Sequence, residues 1–143
     1  MEQDNKYYTP DLGELFVGYE LESFDLIYGK SGEWRSNKIV CGTHIDNISR
    51  YPKEGRVRTK YLDQFDIESL GWKFTGGQMI SNGRKDFKKG NWLLIFRTKD
   101  HTINLILTDD SPEEKYAITS GTYRGECKSI NELRNIMKYL NIN

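Results

Sequence analysis

Three cations occupy alternate positions in one short segment of the sequence. Arg56, Arg58 and Lys60 are separated from one another by single residues of other types. Because successive side chains of a β-strand point to opposite faces, a strand here would place all three cations on one face. Arginine binds phosphate or carboxylate through two parallel hydrogen bonds. The segment is therefore a candidate anion-binding row, and the alternative is a solvated edge strand whose cations prevent aggregation.

The densest basic stretch is residues 83–90, which begin and end with glycine and contain Arg84, Lys85 and Lys88. We interpret it as a loop, whose glycines would let the backbone approach a ligand closely. It lacks the spacing of a phosphate-binding P-loop, in which a lysine and a hydroxyl residue follow the second glycine. The stretch is a second candidate for anion binding, and the alternative is an exposed loop without a ligand.

Aromatic side chains beside cations are the third candidate, because a ring that stacks on a nucleobase contributes roughly 1–3 kcal/mol per base. Trp34 directly precedes Arg35 and is the favoured stacking residue, whereas Trp92 is expected in the core. Tyr8 follows Tyr7 near the start of the chain. Such an aromatic arm could close over a ligand or pack on a neighbouring subunit, and packing within its own domain is the alternative.

Catalysis has little support in the residue pattern. His44 lies two residues before Asp46, and His101 directly follows Asp100. A nucleophile, a histidine and an acid cannot be assembled into a catalytic set from these spacings. We therefore predict that the protein is not an enzyme and has no catalytic residues.

A bound metal or cofactor is not expected either. The two cysteines, Cys41 and Cys127, lie far apart and form no Cys-x-x-Cys pair, and only two histidines could join them in a zinc site. We expect reduced thiols, with a disulfide as the alternative. Glu20 and Glu22 would share one strand face and could bind a metal or act as acid and base, but an exposed acidic face is the simpler account.

Composition limits the class of partner. The 143 residues carry 21 cationic and 21 acidic side chains, so the formal net charge is zero. A neutral chain is a poor general binder of DNA or of anionic membranes, although a local basic patch is compatible with it. No stretch reaches the length of a membrane span, and residues 1–6 lack the apolar region of a signal peptide. We expect a cytosolic protein.

Residues 91–108 are the segment that organises the fold, because two apolar runs there are joined by the polar tip at residues 99–101. Trp92, Leu94 and Phe96 point to one face if the first run is extended. Aromatic and β-branched residues dominate, which favours strands over the alternative of a helix. Both runs are apolar at most positions, so we predict a β-hairpin in the centre of a sheet with both faces covered.

The remaining strands follow from shorter patterns. They are predicted at residues 15–28, 33–40, 56–62, 72–75, 115–119 and 123–128. The first two of these strands are expected to pair antiparallel. Asp63 could cap a short helix near residues 63–70 that Gly71 closes.

A C-terminal helix is predicted from Ser129 onward. Ser129 and Glu132 have the spacing of a capping box. Apolar residues then follow at steps of three and four, a stripe that suits packing on a sheet. The prediction is a single α+β domain, residues 1–143, with a mostly antiparallel sheet, the C-terminal amphipathic helix packed on it and a flexible start at residues 1–6.

Several segments resemble a family of small proteins from bacteriophages and prophages of gut bacteria. They lie at residues 8–10, 16–20, 57–63, 66–72, 129–133 and 140–142, including Val-Arg-Thr-Lys-Tyr-Leu-Asp at residues 57–63. The resemblance spans nearly the whole chain, although Phe65 replaces an expected acidic residue and Gly13 also departs from the pattern. Membership implies a phage accessory protein that acts in the host bacterial cytoplasm, and it implies no particular activity.

Some small phage proteins of this size are sponges that hold nucleotide signals of bacterial immunity, and this analogy supplies the leading hypothesis. The protein would be a non-enzymatic counter-defence protein that sequesters a small anionic ligand, such as a cyclic nucleotide or an ADP-ribose derivative. The expected ligand-binding residues are Arg56, Arg58, Lys60, Arg84, Lys85, Lys88, Trp34, Arg35 and Tyr8. A homo-oligomer is expected, because sponge subunits assemble around the ligand.

Two other hypotheses remain open. The protein could be a protein-interaction or virion accessory protein that uses a sheet edge or the tyrosine-rich start and has no small-molecule site. It could also be a phosphodiesterase-like hydrolase, which would need a metal cluster that the sequence does not display.

Overall fold

The structure is a computed structural model that describes residues 6–25, 33–42, 57–76, 83–108 and 118–143. The chain divides into two compact units, Met1–Tyr61 and Leu62–Asn143, and the organisation as a single domain stays a prediction. The described strands and α-helices are β1 Tyr7–Tyr8, β2 Glu20–Asp25, β3 Glu33–Lys38, β4 Val57–Lys60, α1 Gln64–Ser69, β5 Lys73–Gly76, β6 Arg84–Lys89, β7 Trp92–Arg97, β8 Thr102–Thr108, β9 Ile118–Glu126 and α2 Ile130–Tyr139. The fold is α+β, as predicted, with two antiparallel sheets and few helices.

Sheet A belongs to the first unit and has the strand order β1-β4-β2-β3. Its neighbouring strands are all antiparallel, and β2 pairs with β3 along its whole length, as the sequence predicted. The core of this unit contains Leu15, Tyr19, Leu21, Ile39 and Val57. Within β4, Val57 and Thr59 are buried whereas Arg58 and Lys60 are half-buried, which confirms the predicted alternation. The cations therefore lie on the face of sheet A that points away from this core.

Sheet B belongs to the second unit, and its strands follow chain order from β5 to β9. Helix α2 packs on one face of this sheet, where Leu133 and Met137 join Phe87, Leu94 and Leu105 in one buried cluster. Each large side chain buried there contributes about 1.5–3 kcal/mol to stability. The predicted packing of the C-terminal helix on the sheet is thus confirmed.

Strands β7 and β8 form the predicted central hairpin of sheet B. The register pairs Leu94 with Leu105 and Phe96 with Ile103. None of these four side chains is more than 1% exposed. His101 ends the tip with a φ of 52°, a left-handed conformation that histidine tolerates better than most residues. On the opposite face, Ile95 and Ile106 are also buried, at 7% and 8% exposure.

Both helices begin at the predicted capping residues. The Asp63 carboxylate accepts a hydrogen bond from the Asp66 backbone N–H at 2.9 Å, which caps α1. Gly71 follows α1 with a φ of 89°, a conformation that glycine adopts without strain. The Ser129 hydroxyl accepts from the Glu132 backbone N–H at 3.4 Å and caps α2 in the same way. Local side-chain chemistry therefore sets where both helices start.

Two predicted strand assignments are wrong. Residues 15–19 contain a turn rather than a strand, because Gly18 has a φ of 99° and β2 begins only at Glu20. Strand β9 runs without a break from Ile118 to Glu126, where two strands were predicted. Its register relative to β8 shifts between Ile118 and Ser120 and again between Gly121 and Tyr123, so bulges carry the strand across the residues that separated the two predicted strands. The irregular segment predicted at residues 41–55 lies mostly outside the described residues.

Candidate functional site

Arg58 is the cation that the fold of the first unit places among aromatic residues. It lies in β4, an inner strand of sheet A, and its cross-strand neighbour on β2 is Glu22. Tyr7 comes from β1 on one side, and Trp34 comes from β3 on the other side. The four side chains, which we name the Arg58 cluster, meet on the face that points away from the core. Arg56, the first member of the predicted cationic row, lies outside the described residues.

Two rings hold the guanidinium group of Arg58. Its Cζ atom lies 3.8 Å from the centre of the Tyr7 ring and 4.0 Å from the centre of the Trp34 ring. Each such contact is worth about 0.5–1 kcal/mol where solvent has access. The Trp34 ring also meets Phe24 edge to face, with centres 5.4 Å apart. The guanidinium plane is therefore oriented before any ligand arrives.

Glu22 uses one of the hydrogen-bond donors of Arg58. Its Oε2 atom accepts from Arg58 Nε at 2.6 Å, and both side chains are a little over one quarter exposed. An arginine carries five N–H donors in a planar fork. Within the described residues, Arg58 donates only through Nε, so its two terminal Nη groups can still bind an anion through paired hydrogen bonds.

Other cations lie close to the Arg58 cluster. Lys60 is the cross-strand partner of Tyr7, and it shares the outer face with Arg58 because it lies two positions further along β4. The Lys6 ammonium group lies 5.8 Å from the centre of the Tyr7 ring. Glu20 lies on this face two positions before Glu22, and Lys60 and Glu20 each already have an interaction partner. Within the described residues, Arg58 and Lys6 are therefore the cations that contact the Tyr7 ring, with Glu22 bound to Arg58.

The structure places Arg35 and Tyr8 away from this cluster. Arg35 pairs with Ser23 and points to the opposite side of β3 from Trp34. The Tyr8 ring stacks on Tyr61 with centres 4.7 Å apart. Its hydroxyl lies 3.2 Å from that of the buried Tyr19. Tyr8 therefore packs within its own unit, and Tyr7, its neighbour, is the tyrosine that reaches the arginine.

The basic stretch at residues 83–90 is not a loop, and the prediction of a loop there is wrong. Arg84, Lys85 and Lys88 lie in β6, which pairs with β7 over its whole length. Arg84 and Lys88 point to one face of sheet B, and Lys85 points to the other, because the buried Phe87 fixes which face meets the core. The three candidate cations are therefore not gathered at one point.

Two of these cations already have partners within the second unit. Arg84 donates to both carboxylate oxygens of Asp86, from Nε at 2.8 Å and from one Nη at 3.0 Å. These hydrogen bonds raise the pKa of Arg84. Lys85 donates to the side-chain oxygen of Gln64 in α1 at 3.2 Å. Lys88 is exposed and faces Lys73 across the strand pair.

The residues considered for catalysis or metal binding show no constellation. His44 and Asp46 lie outside the described residues. Burial lowers the pKa of His101 and raises the pKa of the buried Cys127 thiol well above its usual value. In the part of the chain that the structure describes, no group of three or more metal-ligating side chains comes together. No helix within the same part is long and apolar enough to cross a membrane.

The sequence analysis considered Tyr7 only as part of an aromatic arm with Tyr8, and Glu22 only as a metal ligand or an acid–base group, and neither was among the expected ligand-binding residues. Their signal was the alternation in β1 and β2, which predicts a shared face only once the strand order is known. Comparisons with protein-family models, with curated proteins and with solved structures found no match for this chain.

Proposed function

We propose that the protein is a non-catalytic binding protein that holds a small anionic ligand on the outer face of sheet A. The proposal rests on how the Arg58 guanidinium group is oriented and on which of its hydrogen-bond donors are unused. Two rings and the Glu22 carboxylate orient its guanidinium group, and its Nη groups make no hydrogen bond within the described residues. A phosphate or carboxylate would accept from both Nη groups at once.

The ligand class that suits this site combines an anionic group with a flat ring. Trp34 and Phe24 are half-buried aromatic residues beside the arginine, and the neighbouring Lys6 would attract further negative charge. A cyclic nucleotide or an ADP-ribose derivative has both features. The resemblance to small phage proteins supplies the context: a counter-defence protein in the host bacterial cytoplasm that sequesters a nucleotide immune signal, assembled as a homo-oligomer.

The first experiment is a thermal-shift screen of the protein against cyclic nucleotides and ADP-ribose derivatives. We expect at least one compound to raise the melting temperature, because a ligand that binds only the folded state stabilises it. The bound compound should be recovered intact after heat denaturation, whereas an enzyme would return product. If no compound raises the melting temperature beyond error, the proposed function is wrong.

Arg58→Ala identifies the site once a ligand is known. Loss of charge-assisted hydrogen bonds worth about 1.5–3 kcal/mol should weaken binding by roughly tenfold to a hundredfold. Arg84→Ala is the matched control, because Arg84 already donates two hydrogen bonds to the carboxylate of Asp86. Equal losses in the two variants would place the ligand elsewhere.

Glu22→Gln tests the direction of the electrostatic effect. The amide can still accept from Arg58 Nε, but it removes the negative charge nearest to the proposed anion site. We expect the affinity for the ligand to rise or stay constant, with little change in folding. A large loss of affinity would show that the Glu22 carboxylate itself contacts the ligand.

A second candidate function, protein binding, has its own observation in the second unit. Phe65 of α1 is 76% exposed, and Phe74 of β5 is 43% exposed. Strand β5 is an edge strand, a position at which another chain can add a strand. If this function is correct, no nucleotide will shift the melting temperature, and Phe65→Ser with Phe74→Ser will abolish capture of a specific host or phage protein.

A further inference from the structure

The second unit contains a cavity of about 570 Å³ between helix α2 and strand β9. The described residues that line it are Tyr123, Asn135, Ile136, Lys138, Tyr139 and Leu140. Small-molecule sites in proteins typically have volumes of about 300–1,000 Å³, so a ligand larger than an ion would fit. None of these residues belongs to the Arg58 cluster, and the inference drawn from them does not depend on the proposed function.

The inner wall of the cavity is apolar and firmly held. Ile136 and Leu140 are half-buried and pack against the core under α2. Tyr123 is fixed because its hydroxyl donates to the Glu126 carbonyl oxygen at 3.1 Å. Its ring also lies over Gly125, where a Cβ atom would come within 3.1 Å of that hydroxyl. A flat apolar group therefore meets a preformed surface here.

The rim of the cavity carries a cation. Among the lining residues that the structure describes, Lys138 is the one with a charged side chain. Within the described residues, neither the Lys138 ammonium group nor the Asn135 amide has a hydrogen-bond or ion-pair partner. Burial and the nearby carboxylates of Glu132 and Glu126 raise the pKa of Tyr123 on the facing wall, so Lys138 is a cation without a direct partner and not the sole charge near the cavity.

Tyr139 completes the cavity from the solvent side. Its side chain is 88% exposed, the highest value among the large hydrophobic residues in the described part of the chain. Burying an aromatic ring against a ligand is favourable, and the exposed ring of Tyr139 has apolar area left to bury. Tyr139 follows Lys138 directly, so a ligand that reaches the ammonium group could also lie against this ring.

We propose that this cavity binds a small aromatic monoanion. The flat ring of the ligand lies between Tyr123 and Tyr139, and its carboxylate or sulfonate accepts from the Lys138 ammonium group. The Asn135 amide forms a hydrogen bond with a polar atom at the edge of the ligand ring. A single negative charge matches the Lys138 cation, and the volume suits a ring system with a short acidic side chain.

The test uses indole-3-acetate as the probe, with tryptamine as a control of the same ring and opposite charge. Binding is measured by calorimetry on the full chain. Indole-3-acetate should bind in the millimolar range or tighter, and tryptamine should bind at least about tenfold more weakly, which corresponds to about 1.4 kcal/mol. Equal binding of the two compounds, or no binding of either at millimolar concentration, would overturn the proposal.

Variants of exposed residues locate the site without endangering the fold. Lys138→Ala should weaken indole-3-acetate binding about tenfold, within the range for a charge-assisted hydrogen bond. Tyr139→Ala should also weaken it, whereas Lys99→Ala at the exposed hairpin tip should leave it unchanged. Arg58→Ala should likewise have no effect, which separates this site from the nucleotide proposal. Selective binding that survives Lys138→Ala would contradict the assignment.

Discussion

Arg58 and Arg84 each bind one carboxylate on the surface of an antiparallel sheet. The two guanidinium groups differ, however, in which N–H donors remain for a ligand. Arg84 donates to both oxygens of Asp86, at 2.8 and 3.0 Å. Arg58 donates to one oxygen of Glu22 through Nε alone. A cation is therefore a good candidate for ligand binding only when the fold leaves donors unused, and the count of cations in a segment does not reveal this.

Two lysines on the same strand as Arg84 also have hydrogen-bond partners within the second unit. Lys85 donates to Gln64 in α1, and Lys89 donates to the Leu70 carbonyl oxygen at the end of the same helix, at 2.7 Å. These side chains hold α1 against sheet B. The densest basic stretch of the sequence therefore has a largely structural role, whereas a single arginine between two rings has the better geometry for a ligand.

Phe87→Ala tests most strongly whether residues 83–90 are structural. Phe87 is fully buried at the centre of this stretch, so truncation should cost about 3–5 kcal/mol of unfolding free energy. Urea unfolding followed by tryptophan fluorescence measures this loss. Lys88→Ala, at the exposed neighbouring position, should change stability by less than about 0.5 kcal/mol. A small effect of Phe87→Ala would restore the interpretation of an exposed binding loop.

The sequence predicted the elements whose signals are local. The central hairpin follows from alternating apolar residues, and the start of α2 follows from Ser129 and Glu132. Strand β6 was missed because Phe87 is its only fully buried apolar residue among charged neighbours, which leaves almost no hydrophobic period. An element that contributes few residues to the core is thus harder to predict from the sequence than one that contributes many.

The Arg58 cluster could be predicted only in part. Arg58 and Trp34 were candidates from residue type, but the sequence suggested Arg35 as the partner of Trp34. Adjacent residues of a strand point to opposite faces, so these two cannot act together on one surface of sheet A. The contacts with Tyr7 and Glu22 depend on the order β1-β4-β2-β3, which no local pattern encodes.

Double-mutant cycles on the two ion pairs would sharpen the comparison between the arginines. Both pairs are partly exposed, so coupling energies should fall within about 0.2–1 kcal/mol. Alanine variants of Arg84 and Asp86 should give a value near the upper end, because two hydrogen bonds are lost. The cycle for Arg58 and Glu22 should give a value near the lower end. The reverse order would show that solvent screening outweighs the number of hydrogen bonds.

Lys89→Met tests whether one basic residue of this stretch stabilises the end of α1. Methionine keeps most of the apolar stem but cannot donate to the Leu70 carbonyl oxygen. Loss of a cation at the C-terminal end of α1 should cost about 0.3–1 kcal/mol in urea unfolding. Lys88→Met is the matched control on the opposite face. Equal stabilities of the two variants would contradict the assignment of Lys89 as a helix-end contact.

The smallest predicted change in stability concerns His101, whose pKa is shifted in the opposite direction to that of Arg84. A carboxylate raises the pKa of Arg84, whereas burial lowers the pKa of His101 despite the attraction of Glu126. Because the folded state disfavours protonation, the stabilising contribution is complete above the ordinary value of 6.5 and is lost as the pH falls below it through the lowered pKa.

The pH dependence of unfolding by urea, compared between the protein and His101→Asn, isolates this contribution. Asparagine tolerates the positive φ of the hairpin tip, so the backbone can keep its conformation. The unsubstituted protein should lose more stability than the variant as the pH falls from about 6.5, while titration of the carboxylates affects both alike. Parallel curves would mean that protonation is equally favourable in both states. The Glu126 carboxylate would then fully offset burial at His101, and the pKa of the imidazole would be the same in the folded and the unfolded state, unlike that of Arg84, which its carboxylate raises.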